Sequence, residues 1–148
     1  DWEFRRVLFR SVEAKIVEGE IMQIHESAED YLEAILKLKE KKGIVRSIDI
    51  VNELGYSKPS ISIAMKHLRE NGFILMDLEG YITLTDSGMA IASRIYGRHK
   101  TLTRILVSLG VDAETAEADA CRVEHDLSEE SFEKIRGYAE KCKKETEK

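Results

Sequence analysis

Two short amphipathic segments separated by Gly55-Tyr56-Ser57, and followed by two apolar runs around Leu78-Glu79-Gly80, leave this chain few ways to fold. Ile48, Val51 and Leu54 share one face of the first segment, and Gly55 is a suitable C-cap because glycine enters the left-handed region without a Cβ clash. Ser57 offers an N-cap for the second segment. Pro59 falls in its first turn, where a missing N–H costs nothing. Ile61, Ala64, Met65 and Leu68 form that helix's inward stripe, which ends at Asn71-Gly72. The runs Phe73 to Met76 and Tyr81 to Leu84 read as two short strands. Upstream, Ser27 is a candidate cap for a helix whose apolar Tyr31, Leu32, Ile35, Leu36 and Leu38 recur at helical spacing as far as Lys41-Lys42-Gly43. Helix, helix, turn, helix and hairpin in this order predict a winged helix-turn-helix.

Beyond the hairpin, Thr85 or Asp86 can cap a long amphipathic segment that runs past His99 to about Leu109 and is closed by Gly110. Two further helices are expected over 112–126 and 128–142, the second opened by Ser128, with a frayed tail from Lys143. The predicted fold class is therefore mainly α: a winged helix-turn-helix DNA-binding domain over 22–92, then a helical metal-binding and dimerisation domain over 93–148. Residues 1–21 are expected to be a non-native leader. The first eleven, Asp1 to Ser11, resemble a translated sequencing-adapter fragment, and the amphipathic pattern starts just after Met22.

No apolar run approaches the ~18 residues that span a bilayer, which argues against a membrane protein. Cys121 and Cys142 lack CxxC spacing and are too few for a disulfide framework, so a cytoplasmic location is expected. The net charge of -5 conceals an asymmetry. From Lys37 to Arg69 there are eight basic and three acidic residues, a local +5; from Gly110 to Lys148 there are seven basic and twelve acidic, a local -5. A nucleic-acid-facing half joined to a cation-collecting half fits this distribution, as do two ordinary solvated helix faces.

A recognition helix needs short polar and basic side chains at its N-terminus and an apolar opposite face. Ser57, Lys58, Pro59, Ser60, Ser62 and Lys66 meet the first requirement, with Arg46 as a candidate phosphate clamp. Asp77 and Glu79 on the wing would repel phosphate, and Ile63 stands where a base-reading side chain is expected. Winged helices also serve as protein-interaction modules.

Cys121, Glu124 and His125 lie at i, i+3 and i+4, which places a thiol, a carboxylate and an imidazole on one face if the segment is helical. Asp30 and Glu33 share i, i+3 spacing on the first helix, and His99 lies on a third. Taken singly, the two acids could merely favour a helix N-terminus, and Cys121 could be a small buried hydrophobe. Together they form a candidate divalent-metal set.

With Ser27-Ala28-Glu29-Asp30-Tyr31-Leu32-Glu33, Arg98-His99 and Ala120-Cys121-Arg122-Val123-Glu124-His125 in this order, the chain resembles the diphtheria-toxin-repressor family of iron- and manganese-dependent transcriptional repressors, in its two-domain form. The resemblance implies a homodimer that binds double-stranded operator DNA when metal is present. It implies a metal site of Asp30, Glu33, His99, Cys121, Glu124 and His125, with Ser57, Pro59 and Ser60 at the DNA. Asp30 and Glu33 resemble the manganese-responsive branch, whereas Cys121 resembles the iron-responsive one. The expected cofactor is Mn(II) or Fe(II), with Co(II) or Zn(II) binding in vitro. Thr103 replaces a glutamate often found in the family, and Glu117 could supply a carboxylate instead.

No phosphate-cradling glycine loop or HExxH motif is present, so neither enzymatic activity nor a small organic substrate is expected. The alternatives are a thiol-based redox regulator acting through Cys121 and a winged-helix protein-interaction module.

Overall fold

The computed structural model describes residues 18–147, with side chains from residue 27 onward. The element order is α1 (Glu18–Lys42), α2 (Ser47–Leu54), α3 (Lys58–Glu70), β1 (Ile74–Met76), β2 (Ile82–Leu84), α4 (Asp86–Ser108), α5 (Ala113–Val123) and α6 (Glu129–Thr146). The fold class is mainly α, as expected. Two compact units divide between Ser93 and Arg94, within α4. Among the described residues no helix is long and apolar enough to cross a membrane. Most of the expected non-native leader, residues 1–17, lies outside the described residues.

In the first unit α1 packs on α2, α3 and β2, α2 packs on α3, and α3 packs on β1. Leu32, Ile35, Val45, Ile50, Ile61, Met65 and Ile74 are buried, each removing enough apolar surface from water for about 1.5–3 kcal/mol of stabilisation. The helix-turn-helix is held by local devices. Gly55 is left-handed at φ 73° and donates its N–H to Val51 O, while Ser57 Oγ accepts from Ser60 N–H at 3.3 Å. β1 and β2 pair antiparallel, Leu75 opposite Thr83. Ile82 N–H donates to Val45 O at 2.8 Å, which adds the α1–α2 connection to the sheet.

Asp77 Oδ1 accepts from both Glu79 and Tyr81 N–H at 2.9 Å, so this acid shapes the wing turn as well as charging it. Thr85 Oγ1 accepts from Gly88 N–H and caps α4. Gly88 is obligatory: a Cβ there would stand 2.0 Å from Phe73 O.

Three boundaries differ from expectation. Helix α1 begins at Glu18, so Ser27 is an interior residue and not a cap. Asp30 and Glu33 then lie well beyond the first turn, where the helix dipole no longer accounts for them. Helix α5 stops at Val123, with Glu124 as its C-cap and His125 in the following turn. The thiol, carboxylate and imidazole therefore do not share one helix. Helix α6 runs on to Thr146, through the segment expected to fray, with Arg136 bridging Glu133 and Glu140 and Lys143 facing Glu147 at i, i+3 and i+4 spacing.

Candidate functional site

The first unit presents a solvent-facing polar surface. Ser57, Lys58, Pro59, Ser60, Ser62 and Lys66 are all exposed on the N-terminal part of α3, opposite the buried Ile61, Met65 and Leu68. Ile63 is exposed among them. Ser57 Oγ donates to Ser60 Oγ at 2.8 Å, so the first turn presents a linked hydroxyl pair. Arg46 is the N-cap of α2, and its guanidinium lies 4.4 Å from the centroid of the Tyr81 ring, which steers it beside the wing. Its backbone N–H donates to Asp49 Oδ2 at 2.9 Å, and Asp49 also pairs with Lys42. The Lys42 ammonium and the Arg46 N–H hold the Asp49 carboxyl below the usual carboxylate range.

On α1, Asp30 is half-buried and Glu33 almost wholly buried. Glu33 Oε1 pairs with Lys37, but Glu33 Oε2 is buried without a hydrogen-bond partner. An unsatisfied carboxylate oxygen of this kind costs about 1–3 kcal/mol or more, and a cation would relieve it. Tyr31 beside them has its phenol pKa raised, first by burial and then by the nearby Tyr56 and Asp30.

Within the second unit, ligand atoms of His99, Cys121 and Glu124 lie within 4.8 Å of one another. His99 Nδ1 and Glu124 Oε2 are 2.9 Å apart, close to the ~3 Å expected between neighbouring ligands of one ion at about 2.1 Å. Glu124 is fully buried and His99 only 9 % exposed, whereas Cys121 is exposed at the rim. Cys121 is thus not the small buried hydrophobe of the alternative reading. His125 Nε2 stands 3.4 Å from Glu124 Oε1. Imidazole nitrogen, thiol sulfur and carboxylate oxygen at such spacing suit a divalent transition metal. Glu117 is exposed and outside this cluster, and the Thr103 hydroxyl is buried without a hydrogen bond.

Motif spacing passes over Arg98, which enters the sequence reading only as the neighbour of His99. It is almost wholly buried. Its Nη1 donates to Glu124 O at 3.0 Å and to Leu127 O at 2.7 Å, and its Nη2 donates to Glu129 Oε2 at 2.8 Å. A lone buried arginine in a polar sequence context carries no periodic signal, so only its adjacency to His99 points here.

Comparison with known proteins extends over both units. Residues 23–81 match the iron dependent repressor, N-terminal DNA binding domain, and residues 85–147 match the iron dependent repressor, metal binding and dimerisation domain. An uncharacterized HTH-type transcriptional regulator of Methanocaldococcus jannaschii is 35% identical over 120 residues, or 80% of this chain and 96% of that protein. The transcriptional regulator MntR of Escherichia coli O157:H7 is 33% identical over 133 residues, or 87% of this chain and 86% of that one. A solved manganese-dependent transcriptional repressor in complex with manganese is 29% identical with a TM-score of 0.69, over 75% of this chain and 51% of its own. This chain spans about half the length of such solved structures. With both domain models matched and a relative covered almost end to end, the chain belongs to the iron-dependent repressor family of metal-dependent, DNA-binding transcriptional repressors.

Proposed function

We propose that this chain represses transcription by binding operator DNA as a cytoplasmic homodimer in response to Mn(II) or Fe(II), with Asp30, Glu33, His99, Cys121, Glu124 and His125 as the metal ligands. The observation that supports it best is the buried Glu124 carboxylate, which faces His99 Nδ1 at 2.9 Å and shares a 4.8 Å cluster with Cys121. The bound ion supplies the positive charge that lets the buried carboxylates stay ionised and keeps a coordinating thiol deprotonated. Asp30 and Glu33 sit on α1, the helix on which α2 and α3 pack. Fixing those two side chains therefore stiffens the helix that supports the recognition element. Lys58 and Lys66 on that element, with Arg46 at the start of α2, neutralise phosphates, while Ser57, Pro59, Ser60 and Ser62 approach the bases.

The donor set is mixed. Oxygen ligands favour Mn(II), and the thiol draws towards Fe(II), with Co(II) and Zn(II) as ions that bind in vitro. The test is duplex binding by fluorescence anisotropy, run anaerobically in chelator and in Mn(II), Fe(II), Co(II) or Zn(II). We expect at least one ion to raise affinity by about 5–150-fold, a coupling of about 1–3 kcal/mol. Equal affinity in chelator and in every metal overturns the reading.

A further inference from the structure

Arg98 does more than fill the second unit. The helix turn that presents His99 also presents Arg98, and the two side chains hold Glu124 at both ends. His99 Nδ1 meets the Glu124 carboxylate at 2.9 Å, and Arg98 Nη1 meets the Glu124 carbonyl at 3.0 Å. The same Nη1 donates to Leu127 O at 2.7 Å, so one guanidinium clamps the whole turn from Glu124 to Leu127 that follows α5. Glu129 Oε2 accepts from Nη2 at 2.8 Å and, though itself exposed, balances the charge of the buried cation.

That turn is irregular. Its start is closed by bonds from Glu124 N–H to Ala120 O and from Asp126 N–H to Val123 O, and the Glu124 and Leu127 carbonyls are taken by Arg98. Glu124 is the point where this matters, because an ion that claims the carboxylate and the imidazole removes the direct His99–Glu124 hydrogen bond. The bonds from Arg98 to the Glu124 and Leu127 carbonyls, with the Glu124 N–H bond to Ala120 O, are backbone contacts that such an ion leaves in place. Donors that orient metal ligands raise affinity by limiting what must be ordered on binding.

We propose that Arg98 is a positioning residue for the metal centre: through the carbonyls of Glu124 and Leu127 it fixes the ligand-bearing turn before the ion arrives. This rests on the proposed function, since it assumes that His99 and Glu124 bind metal. Lysine cannot replace the fork, because one ammonium cannot serve two carbonyls and a carboxylate in a fixed plane.

The experiment measures the Co(II) dissociation constant by chelator competition, together with the visible spectrum of the bound ion. It uses the full chain at a temperature where circular dichroism shows each variant folded. Arg98→Lys should weaken Co(II) by about 10–100-fold and alter the visible band, the size of effect seen when the supporting partner of a metal ligand is removed. Glu129→Gln leaves both carbonyl bonds in place and should change affinity by much less. Ala116→Gly, a buried helix position in α5 away from the clamp, should lower the melting temperature without moving the Co(II) constant.

Unchanged Co(II) affinity and spectrum in Arg98→Lys overturn the proposal. So does a loss in Ala116→Gly equal to that in Arg98→Lys, which would tie affinity to stability alone. A loss in Glu129→Gln as large as in Arg98→Lys also overturns it, because the ion pair and not the clamp would then be responsible. Failure of the parent chain to bind Co(II), Mn(II) or Fe(II) at all is a different result: it overturns the proposed function, and this inference with it.

Discussion

The two units solve opposite problems. Up to Ser93 the candidate DNA-facing side chains are solvated, and the protein's task is only to hold the backbone beneath them. Ser57, Lys58, Ser60, Ser62 and Lys66 are exposed, while Ile61 and Met65 on the other face of α3 are buried. From Arg94 onward the candidate donors His99 and Glu124 are themselves taken out of water, with Cys121 exposed at the rim. Glu124 is fully buried, and its placement depends on hydrogen bonds from His99 and Arg98, which lie 25 and 26 residues away in the chain. A solvated charge is cheap to keep and individually weak. A buried one is costly unless paired, so removing its partner has a large effect. The functional groups of the two halves should therefore differ in how much each one matters.

The largest effect should come from Glu124→Gln, which keeps the shape of the side chain and removes its charge. The His99 contact can persist as a hydrogen bond, so the fold should survive. Metal affinity should fall by more than about 100-fold, beyond the range for removing a mere supporting partner. Isothermal titration with Mn(II) and Co(II) reads this directly. If Glu124→Gln responds to metal like the parent, the contrast between the units collapses, because its buried acid would be structural.

How much of this can be read from the chain follows the same division. In the first unit the signals are local: Gly55, Ser57, Pro59 and Gly72 punctuate the helices, and the structure places each device where spacing predicts it. In the second, the end of α5 escapes prediction because Glu124-His125-Asp126 contains neither glycine nor proline. The helix stops there while Arg98, remote in sequence, accounts for the carbonyls of Glu124 and Leu127. No period or cap announces such a bond. The position of Gly88 against Phe73 O is equally invisible, since a close approach between chain segments leaves no mark in either segment alone. The site residues themselves are legible as types and spacings, but the exposure of Cys121 beside the burial of Glu124 is not.

That exposure gives the next effect. Cys121 stands at the rim of the cluster and can be exchanged with little strain, so Cys121→Glu tests selectivity in place of assembly. Replacing a soft sulfur by oxygen should shift the ratio of Mn(II) to Co(II) activation midpoints towards Mn(II) by about tenfold. Cys121→Ala should weaken Co(II) more than Mn(II). Midpoints measured by metal-dependent duplex binding decide it, and a ratio constant across all three proteins would remove Cys121 from the ligand set.

On the DNA side each change should be smaller and salt-dependent. Lys66→Ala or Lys58→Ala should weaken duplex binding evenly across sequences and reduce the slope of log K against log salt by roughly 1 for each phosphate that is no longer neutralised. Lys66 lies 3.9 Å from Glu70 on an exposed face, a pair too solvated to hold it back from phosphate. Slopes unchanged in both variants would move the DNA away from α3.

The smallest effect belongs to Asp49, a carboxylate of the first unit held by two partners. Its carboxylate accepts from the Arg46 N–H at the start of α2 and pairs with Lys42, joining the end of α1 to the helix-turn-helix. These partners lower its pKa below the unfolded value of about 3.9. A depressed folded pKa means that the stabilisation is present in full above the unfolded pKa and disappears as pH falls through the folded one. Asp49→Asn should therefore cost up to about 1 kcal/mol at neutral pH, a cap-sized effect limited by the solvent around Lys42. The gap to the parent should close as the solution is acidified below the folded pKa. Melting temperatures of both proteins from pH 7 down to about 2 test this against the native and unfolded titrations. A gap that persists unchanged in acid would assign the effect to shape, with the charge of Asp49 contributing nothing.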